Sequence, residues 1–294
     1  LDSFSANVTA NARAPEPRST FIGVWNPSIG LPASGPLASG RLWQSPQQPQ
    51  PSWQVFDLDA SADFEIVPRT GPGPGDLTTR VIRAATPSAD LRLVRQGLPA
   101  EASSAFSVAL WTRSIEPQPS EQLVLLDVGN AAEGVSITVG DGGILGDDPT
   151  PGVADDLRVR LRGSQSGAAT TATVDLPSEW STELTHLLVT YDKAGDLVVY
   201  LQGSEAARVP AQSGAIDSLP TAEWNVFGRD GSIGASGGTG PAPFNALTCM
   251  GELGGITIQS RAMFRQEMER SLCRHVKYSY CSSPLNSVGE YADL

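Results

Sequence analysis

The sequence contains very few of the residues on which acid–base and metal chemistry depend. Only two histidines occur, His186 and His275, and neither has a second histidine at a metal-binding spacing such as H-x-x-x-H. The G-x-S-x-G nucleophile motif, the phosphate-binding P-loop and the dinucleotide fingerprint are also absent. These absences predict a protein that is not an enzyme. An enzyme with an unfamiliar active site is the weaker alternative, and turnover of a polysaccharide would be needed to support it.

Basic residues and long hydrophobic runs are scarce as well. The chain has 20 Lys and Arg against 32 Asp and Glu, and this net charge of -12 argues against nucleic acid or an anionic membrane surface as a partner. No apolar run reaches the roughly 18 residues that a membrane-spanning helix needs. The chain begins Leu1-Asp2 without a hydrophobic leader. We therefore expect an extracellular or cell-surface protein whose signal peptide has been removed, although an expression boundary would look the same.

Cysteine is the third scarce residue, and its three copies lie close together. Cys249, Cys273 and Cys281 all fall in the last fifth of the chain. In an extracellular protein this clustering favours one disulfide that holds the C-terminal segment, with one thiol left over. All three pairings stay open at this point, and the leftover thiol could form an intermolecular bond. Asn7-Val8-Thr9 is the one usable sequon, so Asn7 is a candidate glycosylation site.

Glycine and proline, by contrast, are abundant. The chain's 30 Gly and 23 Pro follow no period, which excludes collagen and predicts many turns. Between these turns, segments of β-type composition recur about every ten to fifteen residues, as expected for antiparallel sheets rather than alternating helices and strands. The predicted strands span residues 79–84, 89–95, 105–114, 121–128, 134–139, 157–162, 170–175, 184–192, 196–202, 223–229 and 251–259.

Residues 184–202 are the most regular part of this pattern. Two runs rich in β-branched and aromatic residues flank a short turn at residues 193–195, which predicts an antiparallel hairpin. Both faces of the hairpin are largely apolar, so we expect it to lie inside a larger β structure rather than on its surface.

Three segments together resemble a known family. The motif H-x-x-V-T-Y-D at residues 186–192, the run AFSVALWTR at 105–113 and GELGGITI at 251–258 are similar to strands of laminin-G-like domains, in the concanavalin A-like lectin/glucanase superfamily. The resemblance spans roughly residues 78–272 and implies a two-sheet antiparallel jelly-roll sandwich. It also implies that His186 is a structural residue of the core. Glycoside hydrolases of this superfamily carry E-x-D-x-x-E on one strand, and no E-x-D occurs here.

The resemblance divides the chain into three parts. Residues 1–77 are expected to form an extended, Pro-rich arm with one or two strands, which lies along its own sandwich or a neighbouring subunit or serves as a flexible linker. Residues 78–272 form the sandwich. Residues 273–294 hold the end of a helix and a tail, because residues 261–277 have an approximate helical stripe and Ser260 can cap it.

The acidic loop at residues 140–156, GDGGILGDDPTPGVADD, is the best candidate for a metal site. Carboxylate oxygens and glycine-rich backbone carbonyls are the ligands that Ca²⁺ prefers. Laminin-G-like domains commonly bind calcium through loop aspartates at a sandwich rim, so the resemblance points the same way. A solvated acidic loop has the same composition, and both interpretations stand. The candidate ligands are Asp141, Asp147, Asp148, Asp155 and Asp156, with Asp127 and Asp192 as second-rank candidates.

A sugar-binding site needs aromatic rings that stack on the ligand. Trp180 and Trp224 lie at predicted strand entrances, where a side chain can face the rim or the core, and the core is the more common position. Both are candidate ligand-binding residues.

Taken together, these features predict a non-catalytic extracellular recognition or adhesion module that binds a glycan or another protein, with Ca²⁺ as an expected cofactor. The alternative is a structural subunit of a cell-surface or extracellular assembly. In that case the N-terminal arm would contact other copies or partner chains. The tryptophans and other apolar residues among the prolines of the arm favour this alternative.

Overall fold

The computed structural model places the β-type segments in two packed antiparallel sheets. It describes residues 22–38, 41–44, 52–57, 64–69, 79–84, 89–94, 105–114, 122–129, 134–140, 156–162, 169–175, 183–192, 196–210, 224–226, 246–248, 251–259 and 261–263.

Eighteen strands make up almost all of this described part of the chain. They are β1 Ile22–Trp25, β2 Gly35–Pro36, β3 Leu42–Gln44, β4 Ser52–Asp57, β5 Phe64–Arg69, β6 Thr79–Ala84, β7 Ala89–Val94, β8 Ala105–Ser114, β9 Gln122–Gly129, β10 Gly134–Gly140, β11 Asp156–Arg162, β12 Ala169–Asp175, β13 Thr185–Asp192, β14 Asp196–Leu201, β15 Ser204–Pro210, β16 Trp224–Val226, β17 Ala246–Thr248 and β18 Gly251–Gln259.

The first sheet has the order β15-β14-β13-β8-β18-β6-β5-β2, and β1 pairs with β18 beyond the end of β6. The second sheet has the order β12-β11-β10-β9-β16-β7-β4-β3, and β17 pairs with β9. Every pairing is antiparallel except that of β17 with β9. The prediction of an all-β antiparallel sandwich is confirmed.

The core fills the space between the two sheets. On the first sheet, alternate residues of β8 and β13 point inward, among them Phe106, Leu110 and Leu187. They pack in one cluster with Ile137 and Val159 of the second sheet. The strict period of two explains this, because successive side chains of a strand face opposite sides.

The opposite, outer face of the first sheet is also covered over its central strands. Ala109 and Leu188 form a small second cluster there with Met263, and Tyr200 packs against it. Ser107 anchors this cover, because its Oγ accepts a hydrogen bond from the backbone N–H of Met263 at 2.7 Å. The expectation that both faces of the hairpin lie inside a larger structure is therefore confirmed.

Strand β15 was missed in the sequence, and a two-residue turn explains it. Gln202 and Gly203 both have positive φ, 49° and 79°, which is the backbone of a tight hairpin turn. The chain therefore reverses at Gln202, which the sequence analysis had predicted to be the last residue of a strand. Ala207 and Val209 are the two side chains of β15 that pack against the core, and both are only half-buried, so the apolar alternation of the strand is short.

The N-terminal part of the chain contributes strands to both sheets. Strands β1, β2 and β5 belong to the first sheet, and β3 and β4 belong to the second. Trp25 and Trp43 are fully buried. The predicted domain boundaries at residues 77 and 272 stay predictions.

The predicted C-terminal helix begins at residue 261. Residues 261–263 are not helical, and the rest of the segment lies outside the described residues, so the helix stays a prediction. Within the described part of the chain, the structure contains no helix of the length and apolarity needed to cross a membrane.

Candidate functional site

The acidic loop connects β10 to β11, two paired strands. Val139 lies opposite Leu157, so the two ends of the loop meet at one end of the second sheet. Asp156 begins β11, but its side chain lies outside the described residues, as do Asp141, Asp147, Asp148 and Asp155. Across the described residues, no group of three or more potential metal ligands comes together. The calcium site therefore stays a prediction about residues that the structure does not describe.

The predicted sugar-binding tryptophans are placed only in part. Trp224 begins β16, opposite Leu93 of β7 and Val128 of β9, so its backbone lies in the middle of the second sheet. Its side chain is outside the described set, and Trp180 lies wholly outside it. The same holds for the disulfide candidates Cys249, Cys273 and Cys281 and for the glycosylation candidate Asn7.

Among the second-rank calcium candidates, Asp192 ends β13 and is half-buried. Asp127 lies within β9, opposite Ser136, but its side chain is not described. The structure brings neither aspartate into a group of described ligands.

His186 is a packing residue, as predicted. It is fully buried on the outer face of β13, with its ring 5.1 Å from that of Trp111 on β8. Burial lowers the pKa of His186 to about 3, because a charged imidazole would lose its hydration there. The side chain is therefore neutral at physiological pH.

Gly254 of β18 makes room for Trp111. A Cβ on Gly254 would lie 3.2 Å from the Cβ of Trp111 and 3.4 Å from Cδ1 of Leu184. The pairing of β18 with β8 shifts register here, between Leu253 and Gly255. The Gly-Gly step thus allows a β-bulge against a tryptophan.

The strongest concentration of charge on the described surface is a group that we call the arginine cluster. It comprises Arg69, Arg83, Arg113, Glu65 and Glu252, on the outer face of the first sheet. Glu252 is its centre, because it has no solvent exposure and both oxygens accept hydrogen bonds from arginines. Cross-strand pairing places Glu252 directly opposite Arg83 of β6 and Arg113 of β8.

The contacts within the cluster are short and specific. Arg69 binds Glu252 with two parallel hydrogen bonds, from Nε to Oε2 at 2.7 Å and from Nη2 to Oε1 at 2.6 Å. Arg83 donates to Oε1 of Glu252 from Nε and Nη2, at 3.2 and 3.0 Å, and from Nη1 to Glu65 at 3.0 Å. Arg113 Nη2 lies 3.2 Å from the same Oε1. The carboxylate of Glu252 therefore accepts from all three arginines, with four donors at Oε1 and one at Oε2.

These contacts keep Glu252 charged. Burial alone would raise the pKa of Glu252, but the hydrogen bonds from Arg69 and the charges of Arg113 and Arg69 outweigh that effect and hold it below its usual value. The hydrogen bonds to Glu252 likewise raise the pKa of Arg69. The first role of the cluster is thus structural, since a buried carboxylate without partners would strongly destabilise the fold.

The arginines also reach solvent. Arg69 and Arg83 each expose 35% of their side chains, and Arg113 exposes 22%. The cluster is therefore a buried negative charge covered by guanidinium groups, with positive charge at the surface. Glu65 exposes 41% of its side chain, so the three arginines and two glutamates give the cluster a net charge of +1 on a chain of net charge -12.

The cluster was missed in the sequence. One signal was available: Glu252 is a charge inside a strand that is otherwise apolar or glycine, GELGGITIQ, and a buried charge needs partners. The partners themselves were hidden, because Arg69 precedes Glu252 by 183 residues.

Comparison with protein families identifies the relationship. The laminin G-type model of the concanavalin A-like lectin/glucanases superfamily matches residues 88–267. A comparison with curated proteins finds no match.

Solved structures with the same fold include domains of clostridial toxins. The binding domain of Paraclostridial Mosquitocidal Protein 1 has a TM-score of 0.52 at 12% identity, covering 85% of this chain and 52% of that one. The receptor binding domain of the botulinum neurotoxin C/D mosaic serotype has a TM-score of 0.51 at 8% identity, covering 81% and 50%. This chain thus spans about half the length of these structures, and at such low identity the likeness shows the fold alone.

Proposed function

Because this chain belongs to the concanavalin A-like lectin/glucanases superfamily, we propose that it is a non-catalytic recognition module that binds a glycan or another protein. The observation that carries the proposal is the match of the family over residues 88–267, on a sandwich with this fold. The similar toxin structures support it, since they are named as a binding domain and a receptor binding domain. A shared fold supports binding as a class and leaves the ligand to be identified.

A non-catalytic role agrees with the chemistry of the described residues. His186 is buried, uncharged and packed on Trp111, so it is a poor proton donor or acceptor at neutral pH. Glu252 accepts from all three arginines, which suits it to holding structure rather than to moving protons. The E-x-D pair of the hydrolytic members is absent from the sequence.

We also propose that the module acts outside the cell and binds Ca²⁺ at the acidic loop. The segment that carries the five candidate aspartates runs from the end of β10 into the start of β11, and these paired strand ends lie at one end of the second sheet, which supports the proposal. Their hard carboxylate oxygens, with carbonyls freed by the loop glycines, fit the donor set of Ca²⁺. Bound Ca²⁺ would offer a cation to a ligand at this end of the sandwich.

The structural-subunit alternative receives less support. Strands β1 to β4 pair with strands of the same chain, so the described part of the arm is used within its own sandwich.

Binding to an array of glycans and a panel of extracellular proteins tests the proposal. We expect selective retention of at least one glycan or protein class, with no release of product from bound polysaccharide. Hydrolysis of a polysaccharide, or failure to bind any member of either set, would contradict the proposal.

Thermal unfolding with and without Ca²⁺ tests the metal site, with light scattering as a check on mass. We expect a monomer whose melting temperature rises with Ca²⁺, and we expect the rise to disappear in the double variant D147N/D148N. Glu205→Gln removes one exposed charge elsewhere and should keep the rise. A defined oligomer that survives chelation would instead support the structural subunit.

A further inference from the structure

Within the described part of the chain, one guanidinium edge of the arginine cluster is not engaged by another residue. Arg69 uses Nε and Nη2 for the two oxygens of Glu252. A guanidinium carries five N–H donors along two edges, and each edge matches a carboxylate. The second edge of Arg69, formed by Nη1 and the remaining N–H of Nη2, has no acceptor among the described residues, and 35% of the side chain is exposed.

Arg83 differs from Arg69 in this respect. Glu65 accepts from its Nη1, and Glu252 accepts from its Nε and Nη2, so both edges are already engaged. Its role is to hold the two carboxylates. Arg113 exposes only 22% of its side chain, against 35% for Arg69, so Arg69 is the arginine of the cluster that is best placed to donate to a further carboxylate.

We propose that the second edge of Arg69 binds the carboxylate of an acidic sugar, so that the ligand is a glycan containing uronic or sialic acid. This inference rests on the proposed function and narrows its ligand to one chemical class. A planar carboxylate fits the guanidinium edge with two parallel hydrogen bonds, and such charge-assisted pairs are the strong ones.

The cluster prepares Arg69 for this contact. Its guanidinium is fixed by two short bonds to Glu252, and Glu252 is held in turn by Arg83 and Arg113. A side chain that is already ordered loses little conformational entropy when the ligand arrives. Glu252 is thus a positioning residue, and Arg69 is the residue that touches the ligand.

The charge of the whole chain favours a small acidic sugar over an acidic protein. At physiological salt, charges interact over roughly 8 Å, so a sugar carboxylate at Arg69 is influenced mainly by the cluster. A protein surface with many carboxylates would also approach the remaining surface of a chain with net charge -12 and be repelled.

Matched ligand pairs test the proposal on the full chain by calorimetry. The first pair is tetragalacturonate and its neutral methyl ester, and the second is 3′-sialyllactose and lactose. We expect at least one acidic member to bind at least tenfold more tightly than its neutral partner, with an affinity that falls as salt rises. Heparin oligosaccharide and oligo-aspartate serve as sulfated and peptide probes.

Arg69→Lys is the decisive variant, because it keeps the charge and an ion pair with Glu252 but removes the fork. We expect it to reduce the affinity for the acidic sugar about tenfold, to abolish the preference over the neutral partner and to leave the circular dichroism spectrum unchanged. Arg208→Lys is the matched control. It changes another exposed, ion-paired arginine of the same sheet, six strand positions or about 29 Å away, and should bind as the parent does.

Equal binding of the acidic and neutral members, or equal loss in the Arg69 and Arg208 variants, would overturn the inference while leaving a glycan-binding module intact. Tighter Arg69-dependent binding of heparin or oligo-aspartate than of either acidic sugar would overturn it in favour of a sulfated or peptide ligand. If no glycan and no protein binds in the panels, the proposed function fails together with the inference.

Discussion

On its inner face the first sheet presents Phe106, Leu187 and Ile256 to the second sheet, and on its outer face Ser107, His186 and Glu252 are buried just as completely. The inner face is buried by apolar contact, which is non-directional and tolerates other side chains of similar volume. The outer face combines a small apolar cluster with hydrogen bonds, ion pairs and a bulge, and these last three each need a specific partner. Equal burial therefore predicts unequal tolerance to substitution.

The largest expected effect is on the inner face. Phe106 packs at 5.5 Å from the ring of Tyr191, and Phe106→Ala removes that contact and leaves a cavity. We expect a loss of roughly 3–5 kcal/mol in the free energy of unfolding by urea denaturation. Phe106→Leu should lose only about 1 kcal/mol, because a similar volume stays apolar. If Phe106→Leu lost as much free energy of unfolding as Phe106→Ala, the inner face would not tolerate other apolar side chains.

On the outer face even a nearly isosteric change should be damaging. Glu252→Gln removes the charge that holds three guanidinium groups, and we expect a loss of about 3 kcal/mol, at the low end for a broken buried pair because the arginines are partly solvated. Glu65→Gln is the control, since Glu65 exposes 41% of its side chain and should shift the urea midpoint far less. Equal shifts of the urea midpoint in Glu252→Gln and Glu65→Gln would show that the burial of Glu252 is not the cause of the lost stability.

Acid should weaken the outer face selectively. His186 has a folded-state pKa of about 3 against an ordinary value of 6.5, so below pH 6.5 the unfolded chain binds a proton that the folded chain does not. Stability is present above pH 6.5 and is lost as pH falls, by roughly 2–3 kcal/mol at pH 4.5. At pH values below the usual pKa of a glutamate, Glu252 lowers the free energy of unfolding further, because its folded-state pKa is depressed.

Urea titrations at a series of pH values measure this loss. The variant His186→Gln should flatten the curve between pH 6.5 and 5, whereas Phe106→Leu should keep its slope. A parent curve that is flat over this range would rule out a neutral buried histidine as the source.

The smallest effect concerns the bulge. Gly254→Ala places a methyl group 3.2 Å from the Cβ of Trp111, an atom close to the backbone that cannot move freely. We expect a loss of about 1 kcal/mol, at the low end for overpacking, and a larger loss for Gly254→Val. Thermal unfolding measures both, and an alanine variant at least as stable as the parent would show that the outer face can relax here.

The inner face is the part of the fold that the sequence predicts well. Strands β6, β8 and β18 were predicted with the same bounds, because strict alternation and flanking turns determine them locally. Strand β15, with its weak alternation, and the short strands β1 to β3 were not predicted. The short strands form only through pairing with other strands, some of them distant in the sequence. Strand β1, for example, exists because the last residues of β18 offer it an edge.

The candidate site follows the same division. The structural role of His186 in the core was predicted from the resemblance to laminin-G-like domains. Arg69 could not be linked to Glu252 without the sheet order, because an arginine at alternate spacing on a strand looks the same whether it is solvated or paired. The acidic loop was proposed from its composition alone. The arginine cluster forms only when strands that are distant in the sequence pair.

The position of β18 has a consequence for how the chain folds. This strand is made near the C-terminal end of the described chain, yet it lies at the centre of the first sheet, between β8 on one side and β6 and β1 on the other. Until it is added, those three strands have unpaired edges, and such edges invite pairing with other chains. Contacts this distant in sequence also slow folding. A chain shortened before residue 251 should therefore aggregate rather than form a smaller sandwich, and during synthesis the first sheet closes only after nearly every other strand is present.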